Sequence, residues 1–270
     1  MSDDEIMALL VHGALAFVTW GLWIKGVLGP KHLGRAGAGR FVLIQAPVLA
    51  MGVLISLLGA FAASDVVGTI YIAFYTIMGA GWIGVFCTLL GFMGVHARDD
   101  VGERRNPAAV WLLLGGVVGL SCAFAGSNFG DGPGWWVVAF CSAISMGTVL
   151  ALWGAVSLFT GDVEAITIDR DAPTGLRCGL LLAAIGLVMG RAAAGDWVDA
   201  PSTVIDFVRI GWAAPALALA EVAIGKALRP RPNLPTSPFT MPMPIFFRGF
   251  LPGMGYVALA VAYVILVGWW

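Results

Sequence analysis

Residues 135–160 read WWVVAFCSAISMGTVLALWGAVSLFT, a run without a single charged side chain. A helix needs about 20 apolar residues to cross a bilayer core about 30 Å thick, whereas a strand of a membrane barrel needs about 10 and alternates in polarity. This run is long and apolar throughout, so it predicts a transmembrane α-helix.

Seven other apolar segments of similar length accompany this run and set the class of the whole chain. Hydrophobic residues make up 59% of the sequence and charged residues 11%, whereas soluble domains average about 45–50% and about 25%. We therefore expect an all-α polytopic membrane protein in which about eight transmembrane helices form one bundle over residues 1–270. Pro47 and Pro215 are predicted to kink segments 2 and 7. The segments, numbered 1 to 8 along the chain, are 6–28, 41–63, 70–96, 108–126, 135–160, 176–195, 204–228 and 246–270.

The basic residues lie mostly in alternate connections between the segments, and this pattern predicts the orientation. Of the 15 Lys and Arg residues, all except Arg191 and Arg209 lie at one set of helix ends, which the positive-inside rule assigns to the cytoplasm. We therefore predict an integral protein of a bacterial cytoplasmic membrane with both termini outside. A first segment that only lies on the membrane surface would invert the first connection, and this alternative stays open.

Three connections on the predicted outer side resemble one another. Asp65, Asp131 and Asp199 are spaced 66 and 68 residues apart, and each stands shortly before an apolar segment. We predict repeated helical hairpins with outward-facing turns, and the alternative is a chance recurrence of Leu, Ala and Gly in membrane helices. The aspartates would cap the following helices, and cation binding is the alternative role. The hairpins pair segments 2–3, 4–5 and 6–7 and span residues 41–97, 108–160 and 176–228.

Ionisable residues within or beside membrane segments are the default candidates for a functional site. A group of them falls on the predicted outer side of segments 6 and 7, where an ion-pair clamp between the two helices is the first interpretation. Binding of an anion or of a partner's carboxylate is the alternative. These candidates are Arg191, Asp196, Asp199, Asp206 and Arg209.

Two further candidates lie inside the segments. Glu221 is predicted to pair with Lys226 or to accept a proton near the cytoplasmic end of segment 7. His12 has no second histidine at its depth, so haem ligation within this chain is not expected. The four cysteines are expected to be free thiols in apolar surroundings. No spacing of Cys, His or carboxylate residues indicates a metal site or a catalytic centre.

The function predicted from these features is structural. Sparse membrane charges and glycine-rich helix faces favour an accessory subunit of a larger homo- or hetero-oligomeric membrane assembly with bound lipid. The proline-rich connection at 229–245 can cover the bundle or dock onto a partner. The alternative is a transporter or channel for a small solute, ion or lipid, built from the hairpin repeats. An enzyme ranks behind both, and a net charge of −1 leaves no basic surface for nucleic acid.

Overall fold

The computed structural model of the chain describes residues 1–29, 38–62, 66–67, 70–229 and 245–268. Helix accounts for 85% of the structure, and no strand occurs in these ranges. The α-helices are α1 (Asp3–Leu28), α2 (Ala38–Ile44), α3 (Ala46–Phe61), α4 (Ile70–Phe92), α5 (Pro107–Gly126), α6 (Trp135–Thr160), α7 (Asp162–Thr167), α8 (Ala172–Ala193), α9 (Ala200–Gly211), α10 (Ala213–Leu228) and α11 (Leu251–Val267). Two π-helical segments, Ala97–Glu103 and Phe246–Phe250, precede α5 and α11.

The chain is all-α and has seven to eight helices able to cross a membrane. Seven spans in the described ranges are long and apolar enough, and α9 with α10 counts as one of them. The pair formed by α2 and α3, bent by 45°, is the eighth candidate. The predicted apolar segments therefore coincide with helices, apart from breaks inside segments 2 and 7.

Both breaks lie next to a proline, as the sequence predicts. Proline has no N–H to donate to the carbonyl four residues earlier, and its ring crowds that carbonyl. Pro47 thus deprives the carbonyl of Leu43 of its helical donor, and α2 gives way to α3. The carbonyl of Leu43 instead accepts a hydrogen bond from Trp23 Nε1 of α1, at 2.9 Å. Pro215 acts in the same way where the helix is interrupted at Trp212.

The centre of the molecule is the pair of helices α5 and α8, whose backbones touch along most of their length. Glycines permit this contact, because a Cβ atom at Gly115, Gly126 or Gly186 would overlap a backbone carbonyl of the other helix. The contacts follow the same order along both helices, so α5 and α8 run parallel. Small residues are the usual means by which membrane helices approach so closely. We call this contact the glycine seam.

The other helices cover the central pair unequally. Each span contains an apolar 18-residue stretch, and burial differs between these stretches. In this stretch 72% of the residues of α5 and 67% of those of α8 are buried, whereas the values for the spans of α1 and α11 are 17% and 22%. Helix α1 packs mainly on α4, where Trp20 Nε1 donates to the carbonyl of Ala80 at 3.0 Å. Helix α11 packs mainly on α8. Of the seven spans, α1 and α11 therefore present the least buried apolar faces.

The two ends of the described chain lie at the same end of the helices, which we call the termini end. Asp4 Oδ2 accepts a hydrogen bond from Trp135 Nε1 at 3.3 Å, and Trp135 begins α6. After α11, the carbonyl of Gly268 accepts a hydrogen bond from Arg191 Nε at 2.7 Å, and Arg191 lies in the last turn of α8. The opposite end carries most of the basic residues that the structure describes, and we call it the basic end.

Candidate functional site

The termini end is organised by two turns, after α5 and after α8, that are hydrogen-bonded to each other. Gly195 N donates to the carbonyl of Phe129 at 2.7 Å, and Trp197 N donates to the carbonyl of Asp131 at 2.8 Å. The N–H of Asp131 in turn donates to Asp196 Oδ1 at 2.8 Å. The predicted candidate Asp196 therefore joins the two turns into one continuous surface.

The capping role predicted for the turn aspartates holds for one of them. Asp199 is the N-cap of α9, and its Oδ1 accepts a hydrogen bond from Ser202 N at 2.7 Å. Asp131 stands upstream of Gly134, which is the N-cap of α6. The prediction is therefore wrong for Asp131. The backbone N–H and carbonyl of this residue bond to the turn after α8, and Gly134 takes the N-cap position. Asp65 lies outside the described residues.

The remaining outer candidates do not converge on one clamp. Arg191 bonds to the carbonyl of Gly268, so it links segment 6 to segment 8. The predicted clamp between segments 6 and 7 is corrected accordingly, since the guanidinium finds a helix-end carbonyl of α11. Asp206 and Arg209 are exposed on α9. Asp206 also borders a cleft at the termini end.

Replacing Asp199 with alanine is expected to lower the melting temperature, because Ser202 N loses its acceptor and the first turn of α9 loosens. The backbone N–H of Ser202 is the main cause that holds the pKa of Asp199 below its ordinary value. A carboxyl group with a lowered pKa stabilises the fold above its ordinary pKa, and this contribution is lost as the pH falls through the lowered value. Thermal unfolding across the acidic range should therefore depend less on pH in Asp199→Ala than in the parent. Asp199→Asn can still cap but does not titrate, so its melting temperature at neutral pH should lie between those of Asp199→Ala and the parent, while its pH dependence should match that of Asp199→Ala. Identical profiles for all three proteins would contradict the cap.

A cleft of about 240 Å³ opens at the termini end between the two turns, with α4, α6 and α9 contributing to its wall. We call it the termini-end cleft. Its wall combines carboxylates with aromatic rings, and the ends of α5 and α8 form part of it. The carboxylates are Asp131, Asp196 and Asp206, and the aromatic residues are Tyr75, Phe129 and Trp197.

Asn128 is the most informative residue of the cleft wall. Its side chain is 5% exposed, and its Nδ2 donates to the carbonyl of Phe124 at 2.9 Å. Its Oδ1 is buried and has no hydrogen-bond partner within the described ranges. A buried acceptor without a donor costs about 1–3 kcal/mol. A donor brought to this oxygen by a molecule in the cleft that Asn128 lines would remove this cost.

A second site lies at the basic end, where four helices meet around Arg177. The guanidinium is 1% exposed, and it donates from Nε to Glu221 Oε1 at 2.8 Å and from Nη2 to Asp162 Oδ1 at 3.4 Å. Glu221 is 0% exposed and also accepts from Tyr256 Oη at 2.7 Å. These residues come from α8, α10, α7 and α11. Together with Cys178 they form what we call the Arg177 cluster.

Further polar contacts close the basic end over this cluster. Arg248 forms a two-pronged ion pair with Asp171, at 3.0 and 3.2 Å. The carbonyl of Arg248 accepts a hydrogen bond from Arg177 Nη1 at 3.0 Å. Arg229 Nη1 donates to the carbonyl of Thr160 at 3.0 Å. These contacts tie the start of α8 to the segment before α11, and the end of α10 to the end of α6.

The Arg177 cluster departs from what the sequence predicts for its members. The sequence favours Lys226 as the partner of Glu221, but the carboxylate binds Arg177, 44 residues away, and Tyr256. Cys178, predicted in apolar surroundings, has its Sγ 3.8 Å from Glu221 Oε1. The presence of Arg177 and Glu221 inside apolar segments is the signal in the sequence, but it does not reveal that they meet.

The cluster also contains three side chains with the spacing of metal ligands. Oxygen or sulfur atoms of Asp162, Cys178 and Glu221 lie within 4.8 Å of one another. Arg177 donates to both carboxylates, however, so a fixed positive charge already stands where a divalent cation would bind. The donor set therefore suits charge pairing or proton binding better than metal binding.

His12, the last of the predicted candidates, takes part in aromatic packing. Its ring stacks on Trp82 with the centroids 6.5 Å apart and meets the edge of Trp135 at 6.4 Å. Its Nδ1 lies 2.7 Å from the carbonyl of Ala8 and donates a hydrogen bond to it. This arrangement links α1 to α4 and α6.

Two arrangements thus stand out as candidate sites, the termini-end cleft and the Arg177 cluster. Sequence reasoning finds Asp196 and Asp206 in the cleft and Glu221 in the cluster. It misses Asn128, which carries no charge, and it assigns Arg177 to the water-facing basic residues although the side chain is buried. Comparison with known protein families, with curated proteins and with solved structures finds no match to this chain.

Proposed function

We propose that this chain is a transporter for a small ammonium-type cation, and that the solute first binds in the termini-end cleft. The observation that carries the proposal is Asn128, which lines a cleft of polar and aromatic side chains and whose buried Oδ1 has no donor among the described residues. Small-molecule sites are typically concave and contain a few placed polar groups of this kind.

The groups around the cleft favour a solute that donates hydrogen bonds and carries positive charge. Asn128 Oδ1 and the carboxylates of Asp131 and Asp206 are acceptors. Trp197 and Tyr75 offer rings that attract a cation. No Lys or Arg belongs to the part of the wall that the structure describes. An alkylammonium ion matches all of these features.

We also propose an internal repeat, which would favour transport because transporters commonly bind their solute between repeats. Arg105 and Arg170 both have positive φ, at 55° and 54°, and each directly precedes the N-cap of a long helix, Asn106 for α5 and Asp171 for α8. In both loops the N–H of the cap donates to the carbonyl six residues earlier. With α5 parallel to α8, these loops support a repeat of hairpins 4–5 and 6–7 about an axis normal to the membrane.

We further propose that the helices form one bundle in a bacterial cytoplasmic membrane, with the termini end outside. The basic end carries Arg98, Arg104, Arg229 and Arg248, and the positive-inside rule assigns such an end to the cytoplasm. In this orientation the termini-end cleft opens to the outside, where it can receive a solute.

Purified chain in sealed lipid vesicles is expected to take up radiolabelled methylammonium with saturation. Asn128→Ala removes the orphaned acceptor and should raise the half-saturating concentration by roughly tenfold, since a hydrogen bond to a charged group is worth about 1.5–3 kcal/mol. Asp206→Asn should raise it less, because that side chain is exposed to water.

Asp169→Asn provides the matched control for this experiment. It removes one exposed carboxylate at the basic end, away from the cleft, and should leave uptake unchanged. Uptake that is absent for methylammonium and for larger alkylammonium ions, or that is the same in Asn128→Ala as in the parent, would reject the proposed site.

The second candidate function is an accessory subunit of an oligomeric membrane assembly, which the low burial of α1 and α11 favours. Phe17 and Leu266 on these helices are 83% and 84% exposed, so lipid or another subunit must cover them. The connection predicted to dock onto a partner lies outside the described residues from 230 to 244. Native mass spectrometry after gentle extraction separates the candidates. A second chain in fixed ratio favours the subunit, and a chain bound only to lipid, with saturable uptake, favours the transporter.

A further inference from the structure

We propose that the Arg177 cluster binds one exchangeable proton, held between the carboxyl groups of Asp162 and Glu221. The site lies at the basic end, and the inference stands whether or not the termini-end cleft carries a solute. Two carboxyl groups face a single guanidinium here, and Asp162, Arg177 and Glu221 are 4%, 1% and 0% exposed. The buried cluster therefore has one acidic group more than it has basic groups.

The charged groups around the cluster do not supply the missing positive charge. Arg248 and Asp171 form their own ion pair at the start of α8 and α11, and so add no net charge. The last turn of α10 and its C-cap carry the exposed residues Lys226 and Arg229, and α7 carries the exposed Glu164. Water and salt screen these three charges. Among the residues that the structure describes, Tyr256 and Cys178 are the remaining titratable side chains in contact with the carboxylates, and both are neutral in their ordinary protonation state.

The hydrogen bonds distinguish the two carboxyl groups. Glu221 accepts short bonds on both oxygens, from Arg177 at 2.8 Å and from Tyr256 at 2.7 Å. Asp162 accepts one longer bond, at 3.4 Å from Arg177, and its Oδ2 is buried without a partner in the described ranges. An ionised oxygen in that position lacks both water and a donor, which a protonated carboxyl tolerates far better.

The short distance between the carboxyl groups of Asp162 and Glu221 also disfavours the ionisation of both. Each contributes an oxygen to a group of atoms that lie within 4.8 Å of one another. Two carboxyl groups so close together do not both ionise readily, and their proton belongs to the pair and not to either residue. Release of that proton would leave an excess negative charge beside Arg177, the residue that joins α8 to α10 and α7. Proton binding is therefore coupled to the contact between these helices.

Infrared difference spectroscopy of the purified chain in lipid tests the inference, because a protonated carboxyl has a carbonyl stretch that a carboxylate lacks. At neutral pH the parent should show one such band that shifts in D₂O and disappears in alkaline buffer. Removal of either acid leaves one carboxylate opposite one guanidinium, so Glu221→Gln and Asp162→Asn should each lose the band. Asp169→Asn, which removes an exposed carboxylate, should keep it.

The parent spectrum alone can overturn the inference, so the test does not depend on the folding of the variants. Absence of an exchangeable protonated carboxyl at neutral pH in the parent contradicts it. A band that persists in either Glu221→Gln or Asp162→Asn also contradicts it, since the proton would then sit elsewhere. If the parent takes up no methylammonium but shows the infrared band, the proposed transport is rejected and the proton site is retained.

Discussion

Replacing Arg177 with leucine is expected to lower the free energy of unfolding by about 3–5 kcal/mol, the usual cost of leaving a buried ion partner uncompensated. The guanidinium holds Glu221 and Asp162 together from α8 and is 1% exposed. Its loss removes the link between α8, α10 and α7. Thermal unfolding in detergent, followed by circular dichroism, measures the effect.

The pH dependence of this variant has a definite sign. Without Arg177, the buried carboxylates of Asp162 and Glu221 have no cation opposite them, and burial without a partner disfavours a charged group. Stability must then fall as the pH rises, and the variant should recover part of its loss in acidic buffer. Arg98→Leu is the control, because that side chain is 71% exposed beside Glu103 and surface pairs contribute about 0–1 kcal/mol. Equal melting temperatures for the two variants would show that the cluster does not hold the helices together.

Alanine at Gly126 and at Gly186 is expected to force α5 away from α8, at about 1–3 kcal/mol for each substitution. The added Cβ would overlap the carbonyl oxygens of Gly190 and Gly119. A backbone carbonyl cannot rotate away as a side chain can, so the helices themselves must move. Thermal unfolding followed by circular dichroism measures the loss of stability.

Gly147→Ala provides the matched control for the glycine seam. Gly147 lies in α6, and a Cβ there meets no atom within 4 Å. Alanine in an open helical position stabilises by about 0.5–1 kcal/mol relative to glycine. The control and the seam variants should therefore change the melting temperature in opposite directions. A common direction would mean that helix propensity, and not close packing, decides the effect.

The positions of the long helices follow from local sequence with few errors. Segment 5, predicted at 135–160, coincides with α6, and its ends are set by Gly134 and Gly161. The breaks of segments 2 and 7 follow from Pro47 and Pro215. The π-helical segments and the short α7 have no comparable signal. Ala97–Glu103 and α7 are short and carry several charged residues, and Phe246–Phe250 is part of the continuous apolar run of segment 8.

The candidate sites were much less accessible to sequence reasoning. Glu221 is visible as an acid within an apolar run, but its partners lie on two other helices, α8 and α11. Asn128 has no charge and becomes informative only because its Oδ1 is buried beside a cleft. The sequence predicts that Arg191 pairs with an acid of segments 6 and 7, because such acids are near it in sequence. In the structure Arg191 binds the carbonyl of Gly268, which α11 brings close to it.

The sequence by itself determined the class of the protein and the number and extent of its apolar helices. Lipid requires each span to satisfy its backbone hydrogen bonds internally, so a span is readable from its own residues. Only the tertiary structure decided which polar groups meet. The partners of Arg177 depend on how far each helix is rotated and how closely it approaches its neighbours. Both are set by long-range packing such as the glycine seam, where Gly115 of α5 lies against Gly179 of α8.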